Sequence, residues 1–371
     1  MKVLHISYAS TWGGGEQQMV NLLEGVTGLG VENLLICINN SALENYSLAN
    51  NINFIGIDRK KGFNIRYLKG INSIIRNYSP DILHIHTGSF LKDFLIISKL
   101  QGVKCKVVFT MNGMIRKKNL LSKIKYNNTE IDRYYCISKS VEDNFKKNVL
   151  YQKNHNKTGV VYDGINLEKG SDAKSPNIDL RKQLSLKSDI RIVGNIANHT
   201  DAKDLLSFFS TANYLINIEK NKNLVFVQIG RESKRTRDYK NFIDANGLSD
   251  RVHILGFMEN AREYLEFFDC FLMTSNREGL SMSILESFLY KTPVVSTRAG
   301  GVPEVVIHEE TGLLADIGDH ESLGKQVKRI FLEKGLKEKL TLQAHKKLLS
   351  NFTKETLAKS TFDFYKKLMY T

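Results

Sequence analysis

The stretch from Ser275 to Glu304 constrains the fold of this chain more than any other feature. It follows an apolar run, Cys270–Met273, that predicts a buried strand, and a polar turn then leads into a helix for which Ser281 is the expected N-cap. A second strand, 293–297, runs into a glycine turn before another helix. This alternation predicts a doubly wound α/β sheet, in which ligands bind at the carboxyl ends of the strands.

Two acidic residues in this stretch point to the kind of ligand. Glu278 lies on the turn, and Glu286 lies in the helix about a turn and a half from its start, so both side chains can reach the space above the strand end. The helix N-terminus beside them offers free N–H groups and the positive end of its dipole, which favour an anion such as a diphosphate. The residues alone therefore predict a ligand that carries phosphate.

The order of these residues resembles the donor-site signature of retaining glycosyltransferases of family 4. The pattern E-G-x6-E, followed by T-P-V-V-x-T-x-x-G-G-x-P-E, is similar to that signature. The resemblance implies a GT-B fold, with two Rossmann-like doubly wound domains facing across a cleft and a C-terminal helix that crosses back to the first domain. It also implies that Glu286 holds the ribose of a nucleotide sugar and that Glu278 lies against the donor sugar. Further donor contacts are implied at Gly279, Leu280 and Ser281.

The length of 371 residues suits two domains better than one core. We expect an N-terminal acceptor-side domain at 1–170, a nucleotide-sugar-binding domain at 171–351 and a C-terminal helix at 352–371, with the polar segment 170–176 as the hinge. An apolar share of 42% and a charged share of 25% are typical of a soluble globular protein. The four cysteines are scattered, which argues against a zinc site.

The net charge of +14 favours an anionic partner. No zinc-finger, RNA-recognition or helix-turn-helix pattern accompanies the charge, so we expect no nucleic-acid partner. The segment Arg116–Lys125 combines five cations with apolar residues at roughly helical spacing and contains no acid. Such a segment is typical of a helix that lies on an anionic membrane surface, although an ordinary solvated helix can show the same pattern.

Two motifs in the first half match the same family. The turn after the first strand contains Gly14, Gly15 and Glu16, similar to the family's GGxE element. The resemblance implies that the glycines approach the donor and that Glu16 lies on the acceptor side, and a purely structural turn is the alternative. His84 and His86 share one face of a later strand, and the resemblance places His86 on the acceptor side. Without a third ligand nearby in the sequence, we expect no metal here.

The chain departs from the family pattern after the strand that ends at Met111. Relatives carry T-x-H-G where this chain has Thr110-Met111-Asn112-Gly113. The resemblance makes Asn112 the counterpart of a histidine that contacts the donor sugar, but an asparagine cannot act as an acid or base. Phe257 and Met258 follow the family pattern, in a turn whose counterpart contacts the nucleotide base mostly through its backbone.

A second departure concerns the donor diphosphate. Relatives carry an arginine and a lysine that neutralise it, and Lys203 matches the lysine. The arginine position falls on Asn195, so one cation is missing. His199 and Arg231 are the two residues that we consider as its replacement, and Arg231 as a merely exposed residue is the alternative.

The resemblance implies a retaining hexosyl- or N-acetylhexosaminyltransferase. It would move a sugar from a UDP- or GDP-linked donor to a hydroxyl of a glycan or polyprenyl-linked acceptor, without a cofactor. We expect this reaction to serve bacterial surface polysaccharide synthesis, in the cytoplasm at the inner face of the plasma membrane. An epimerase of the same fold and a non-catalytic binding homologue are the alternatives, and Asn112 and Asn195 favour the latter.

Overall fold

The chain folds as two units, each built on its own parallel sheet. The computed structural model describes residues 1–59, 64–115, 119–168 and 179–370. Unit 1 comprises Met1–Gly164 and Lys354–Thr371, and unit 2 comprises Ile165–Thr353. The sequence-based division lies a few residues from these boundaries, and its hinge, 170–176, falls outside the described residues.

The described part of unit 1 contains a seven-stranded parallel sheet in the order β3-β2-β1-β4-β5-β6-β7. Its strands are β1 (Lys2–Ile6), β2 (Glu32–Ile38), β3 (Phe54–Ile57), β4 (Ile82–Ile85), β5 (Lys106–Met111), β6 (Arg133–Cys136) and β7 (Thr158–Val160). Its helices are α1 (Gly14–Thr27), α2 (Ala42–Ala49), α3 (Ile65–Tyr78), α4 (Gly88–Gln101), α5 (Leu120–Tyr126), α6 (Lys139–Asn148), the 3₁₀ turn Gln152–Lys157 and the C-terminal helix Lys354–Met369.

Unit 2 has a six-stranded parallel sheet in the order β10-β9-β8-β11-β12-β13. Its strands are β8 (Arg191–Ile196), β9 (Leu224–Ile229), β10 (Val252–Ile254), β11 (Cys270–Met273), β12 (Val294–Thr297) and β13 (Leu313–Ala315). Its helices are α7 (Leu180–Gln183), α8 (Leu205–Asn213) with the π turn Tyr214–Ile218, α9 (Thr236–Ala245), the 3₁₀ turn Ala261–Phe267, α10 (Met282–Leu289), α11 (Val302–Val305), α12 (His320–Leu332) and α13 (Leu336–Asn351).

The central strands of both sheets are buried on both faces, which explains their continuous apolar sequences. Every residue of β4, β9 and β11 is buried, as expected for parallel strands covered by helices on either side. In unit 2 the helix-facing core includes Phe208 and Phe209 of α8 and Phe226 of β9. These arrangements confirm the prediction of two doubly wound α/β domains.

The C-terminal helix packs within unit 1, as predicted. It lies so close to α1 that a Cβ atom on Gly25 would come 2.7 Å from the Cβ of Ala358. The hydroxyl of Tyr365 is 2.6 Å from Nδ1 of His84, a buried residue of β4. The helix therefore contacts both the first helix and the sheet. No helix in the described ranges has the length and apolar character needed to cross a bilayer.

Candidate functional site

The strand order in unit 2 reverses between β8 and β11, so the loops that follow these two strands lie side by side. Hydrogen bonds join the two loops. The backbone N–H of Asn276 donates to the carbonyl of Ala202 at 2.9 Å, and its side-chain amide donates to the carbonyl of Asp201 at 2.8 Å. The hydroxyl of Thr274 donates to the carbonyl of Asp204 at 3.0 Å. Such a reversal opens the crevice in which doubly wound sheets bind ligands.

The structure brings together two residues that were predicted to contact the donor. Nζ of Lys203, in the loop after β8, lies 2.6 Å from Oε1 of Glu278, in the loop after β11. The same carboxylate oxygen accepts a hydrogen bond from the hydroxyl of Ser275 at 2.6 Å. The Glu278 side chain is 8% exposed and that of Lys203 is 25% exposed, so the ion pair is largely shielded from water. Sequence analysis missed Ser275, although it lies three residues before Glu278.

Glu286 lies in the second turn of α10. Burial raises the pKa of its carboxyl to about 7, and the positive charge of Arg262 acts in the opposite direction. The side chain is therefore only partly ionised at neutral pH, and a bound diol would favour the carboxylate form.

Ser281 was predicted to be the N-cap residue of α10, and the structure confirms this position. Its hydroxyl, however, accepts no hydrogen bond from a backbone N–H of the helix. The side chain is 3% exposed and lies 3.2 Å from Sδ of Met273 at the end of β11. Because the hydroxyl is turned into the sheet, the first turn of α10 lacks a side-chain cap. Leu280, the preceding residue, is also buried.

Two residues expected near the diphosphate are buried below the crevice instead. His199 is 2% exposed, and its two ring nitrogens lie 2.7 Å from the hydroxyl of Thr236 and 2.7 Å from Oε1 of Gln228. Its ring therefore has no free nitrogen for a phosphate, and the suggestion that His199 replaces the missing cation is corrected. Asn195 is 1% exposed, and its amide donates to the carbonyl of Leu272 at 2.8 Å. A direct contact of Asn195 with the donor is thus not supported.

Arg231 and Phe257, two further predicted donor contacts, lie against each other. The guanidinium of Arg231 lies over the ring of Phe257, 5.3 Å from its centroid. The Phe257 side chain is exposed, and the following residue, Met258, is partly buried. Both side chains project from loops at the carboxyl ends of β9 and β10, the same sheet edge that carries Lys203.

In unit 1, the residues predicted around the glycine turn lie close together. Gly14 and Gly15 open α1. Gly15 lies so near Asn112 that a Cβ atom on it would come 3.4 Å from Nδ2 of that residue. Burial raises the pKa of Glu16 in the same turn, and its hydrogen bonds to the backbone N–H groups of Gly13 and Glu16 oppose this shift. Asn112 is exposed, so its amide can contact a ligand at the carboxyl end of β5.

His86 belongs to a buried cluster of three histidines, which corrects the expectation that no third ligand lies nearby. Ring nitrogens of His5, His84 and His86 lie within 4.8 Å of one another, and all three residues are buried. His5 comes from β1, which pairs with β4 in the register His5↔His84. The pairing of the first strand with the fourth, typical of doubly wound sheets, was the signal that could have located His5 in the sequence.

The hydrogen bonds of this cluster form a single chain with a defined direction. The amide nitrogen of Asn33 donates to two oxygens, so its Oδ1 accepts from Nε2 of His5 at 3.0 Å. Nδ1 of His5 then accepts from Nε2 of His86 at 3.0 Å, and Nδ1 of His86 faces the hydroxyl of Thr110 at 3.5 Å. Nε2 of His84 donates to that hydroxyl at 2.6 Å. The hydroxyl of Tyr365 completes the chain at Nδ1 of His84.

This geometry fits neutral histidines better than a metal site. The rings of His5 and His86 have centroids 5.3 Å apart and an interplanar angle of 21°, and their facing nitrogens are 3.0 Å apart. The two rings therefore meet edge to edge, and their facing nitrogens point at each other instead of converging on the vertex of a tetrahedron. Burial lowers the pKa of all three histidines, to about 4 for His5, which keeps them uncharged at neutral pH.

Comparison with known proteins agrees with this architecture. Residues 178–347 match the family model described as Glycosyl transferases group 1, and residues 12–169 match Glycosyltransferase Family 4. The glycosyltransferase from Rickettsia africae superposes with a TM-score of 0.84 over 99% of this chain and 98% of its own, at 19% identity. Anabaena Alr3699/HepE in complex with UDP-glucose gives 0.85 over 99% of this chain and 100% of its own, at 16% identity.

Curated relatives extend the comparison. N-acetyl-alpha-D-glucosaminyl L-malate synthase of Bacillus anthracis is 24% identical over 75% of this chain and 72% of its own. UDP-Gal:alpha-D-GlcNAc-diphosphoundecaprenol alpha-1,3-galactosyltransferase of Escherichia coli is 26% identical over 74% of this chain and 73% of its own. The lipopolysaccharide core biosynthesis glycosyltransferase LpsE of Rhizobium meliloti is 36% identical, but over only 30% of this chain and 33% of its own.

The two doubly wound units have the architecture of GT-B glycosyltransferases. The chain belongs to the family 4 glycosyltransferases and carries the group 1 domain in its second half.

Proposed function

We propose that this glycosyltransferase is a retaining enzyme that transfers a hexosyl or N-acetylhexosaminyl group from a UDP-linked donor, with a GDP-linked donor as the variant of the same chemistry. The acceptor is a hydroxyl of a glycan or polyprenyl-linked glycan in bacterial surface polysaccharide synthesis. The observation that carries the proposal is the Lys203–Glu278 pair at the switch point, with Glu286 eight residues further along the chain. The names of the relatives above support the acceptor class.

The residues of unit 2 supply what breaking the bond between sugar and diphosphate requires. In this proposal the ammonium of Lys203, which donates to Glu278, stabilises the charge that grows on the departing diphosphate. Glu286 accepts hydrogen bonds from the two ribose hydroxyls, as an ionised carboxylate does well. Glu278 is oriented by Ser275 and Lys203, so it can receive a sugar hydroxyl in a fixed position.

The surface of helix α5 favours the proposal that the acceptor is bound to a membrane. Three apolar side chains are exposed on it, Leu120 at 69%, Leu121 at 77% and Ile124 at 58%. Lys123 lies between them, and the Nζ atom of Lys125 lies 4.2 Å from the ring centroid of Tyr126. Arg116, Lys117 and Lys118, the other cations of the predicted membrane segment, lie outside the described residues. Exposed apolar residues beside cations suit the anionic cytoplasmic face of a bilayer, and we propose that the enzyme works there.

A transfer assay tests the proposed reaction. The purified chain is incubated with radiolabelled UDP-glucose, UDP-galactose, UDP-N-acetylglucosamine or GDP-mannose and a polyprenyl diphosphate-linked acceptor. Transfer with retention of the anomeric configuration, read by NMR of the product, is expected. A changed sugar formed without acceptor would instead identify an epimerase, and nucleotide binding without any product would identify a non-catalytic homologue.

A further inference from the structure

The C-terminal helix of unit 1 reaches the central strand β4 through a buried hydroxyl. Tyr365 is fully buried, and its hydroxyl lies 2.6 Å from Nδ1 of His84. A second hydroxyl contact joins the same helix to the sheet, because the hydroxyl of Tyr135 in β6 lies 3.0 Å from that of Thr361. The two tyrosine contacts are alike in chemistry and burial, but only that of Tyr365 leads into the histidine cluster.

The directions of the hydrogen bonds in that cluster make Tyr365 a donor. Because Nε2 of His86 donates to His5, Nδ1 of His86 can only accept, and the hydroxyl of Thr110 donates to it at 3.5 Å. That hydroxyl has a single proton, so it accepts from Nε2 of His84 at 2.6 Å. Nδ1 of the neutral His84 ring is then an acceptor, and the hydroxyl of Tyr365 donates to it. Tyr365 therefore holds the ring of His84, and His84 holds the hydroxyl of Thr110.

Thr110 connects this chain of hydrogen bonds to the carboxyl end of β5. It lies in the last turn of the strand's pleat, two residues before Asn112. Asn112 itself lies beside the glycine turn, where a Cβ atom on Gly15 would come 3.4 Å from its Nδ2. Because one residue separates Thr110 from Asn112, a shift of the Thr110 side chain moves the backbone from which Asn112 projects.

We propose that Tyr365 is a positioning residue for Asn112, acting through His84 and Thr110. The proposal rests on the proposed function, because the resemblance to family 4 makes Asn112 a contact of the donor sugar in that reaction. Buried hydrogen bonds of this kind act as a network, in which the loss of one member affects the others. A small displacement of a substrate contact lowers the rate even when its cause lies far from the reacting atoms. The C-terminal helix thus contributes to the reaction as well as to the packing of unit 1.

The side-chain amide signal of Asn112 in nitrogen–proton NMR spectra, assigned with Asn112→Ala, tests the positioning directly. This signal should shift in Tyr365→Phe, which removes only the hydroxyl. Tyr135→Phe is the matched control, because it removes the other buried hydroxyl that contacts the same helix and lies outside the histidine chain. It should leave the Asn112 signal in place, while scanning calorimetry should find a similar fall in Tm for both variants.

The transfer assay measures the consequence for the reaction. Tyr365→Phe is expected to lower kcat roughly tenfold, whereas UDP affinity should be unchanged because UDP lacks the sugar that Asn112 contacts. Thr110→Val breaks the same chain one link further on and should lower kcat by a similar factor. The double variant Tyr365→Phe/Thr110→Val should be no slower than the slower single variant, since members of one network are not additive.

The other outcomes decide against definite parts of the proposal. An Asn112 signal that does not move in Tyr365→Phe, with kcat equal to that of Tyr135→Phe, refutes the positioning and leaves Tyr365 with a role in packing alone. Multiplying losses in the double variant refute the route through Thr110. If the wild-type chain transfers no sugar, the proposed function fails, and the Asn112 signal still decides whether Tyr365 positions this residue.

Discussion

Replacing Lys203 by alanine should impair both turnover and stability, for two separable reasons. The lysine is the cation that we assign to the leaving diphosphate, and loss of one preorganised stabiliser typically costs 100- to 1,000-fold in rate, about 3–4 kcal/mol. The same replacement leaves the carboxylate of Glu278, 8% exposed, without its ion-pair partner at 2.6 Å. A largely buried charge left unpaired costs about 3 kcal/mol of folding free energy. For a domain the size of unit 2, this corresponds to a fall in Tm of about 6–12 °C.

A double variant separates the two effects. In Lys203→Ala/Glu278→Gln the uncompensated charge is gone, and the neutral amide oxygen still accepts from the hydroxyl of Ser275. We expect most of the lost Tm to return, with a residual cost of about 1 kcal/mol, while turnover stays at the level of the single variant or below. Lys222→Ala, at an exposed lysine of the same unit, is the matched control and should change neither quantity.

Differential scanning calorimetry gives the stability of each variant, and the transfer assay gives kcat and KM for the donor. The rate loss should appear in kcat more than in KM, because charge on the diphosphate grows toward the transition state. A Lys203→Ala enzyme with near-normal turnover would mean that another cation stabilises the leaving group. An unchanged Tm would mean that the Lys203–Glu278 pair does not form in solution.

Three further predictions concern titration and the lipid surface. Because the pKa of Glu286 is raised to about 7, calorimetry should find that UDP affinity falls about tenfold between pH 8 and pH 6. Glu286→Gln should bind UDP more weakly and without this pH dependence. A pH-independent affinity in the wild type would contradict the assignment of Glu286 to the ribose. Burial lowers the pKa of His5 to about 4, so below pH 6.5 the unfolded chain binds a proton at this residue that the folded chain does not bind. Chemical denaturation should show that stability falls between pH 6.5 and 4, with about 3 kcal/mol of the fall due to His5. The fall should be smaller in His5→Gln, and an equal fall in both proteins would exclude His5 as a cause. Leu121→Asp should reduce co-sedimentation with anionic vesicles while the exposed-site control Leu342→Asp does not; equal binding of both would leave α5 an ordinary solvated helix.

The sequence predicted local structure well where apolar runs are buried. The strand expected at Cys270–Met273 has the same bounds in the structure, because all four residues lie inside the sheet. The contact between Lys203 and Glu278, across 75 positions of the chain, was not predicted. Nothing local in the sequence joins the two loops, so periodicity could not have located it.

The contacts that sequence analysis missed involve strands distant in sequence. His5 meets His84 and His86 only because β1 and β4 are neighbours in the sheet. The burial of His199 is decided by Gln228 of β9 and Thr236 of α9, which occupy both of its ring nitrogens. From the sequence, a polar residue such as His199 in a loop without glycine is expected to be exposed. Only the neighbours packed around it show that its side chain is buried and holds the loop in place. Hydrogen-bonding capacity alone therefore overestimated the number of ligand contacts.

Because His199 and Asn195 are buried, the charge balance at the crevice determines how strongly donor binding should depend on salt. Lys203 is paired with Glu278, so the charge of the lysine that we assign to the diphosphate is nearly cancelled by its partner. Donor affinity should then come mainly from the ribose and base, and raising NaCl from 0.05 to 0.5 M should weaken UDP binding by less than about threefold, because a shielded pair is only weakly screened. A steep loss with salt would require a further cation at the diphosphate. Arg277 is the residue to replace in that case, since it precedes Glu278 and its buried Nε has no hydrogen-bond partner within the described ranges.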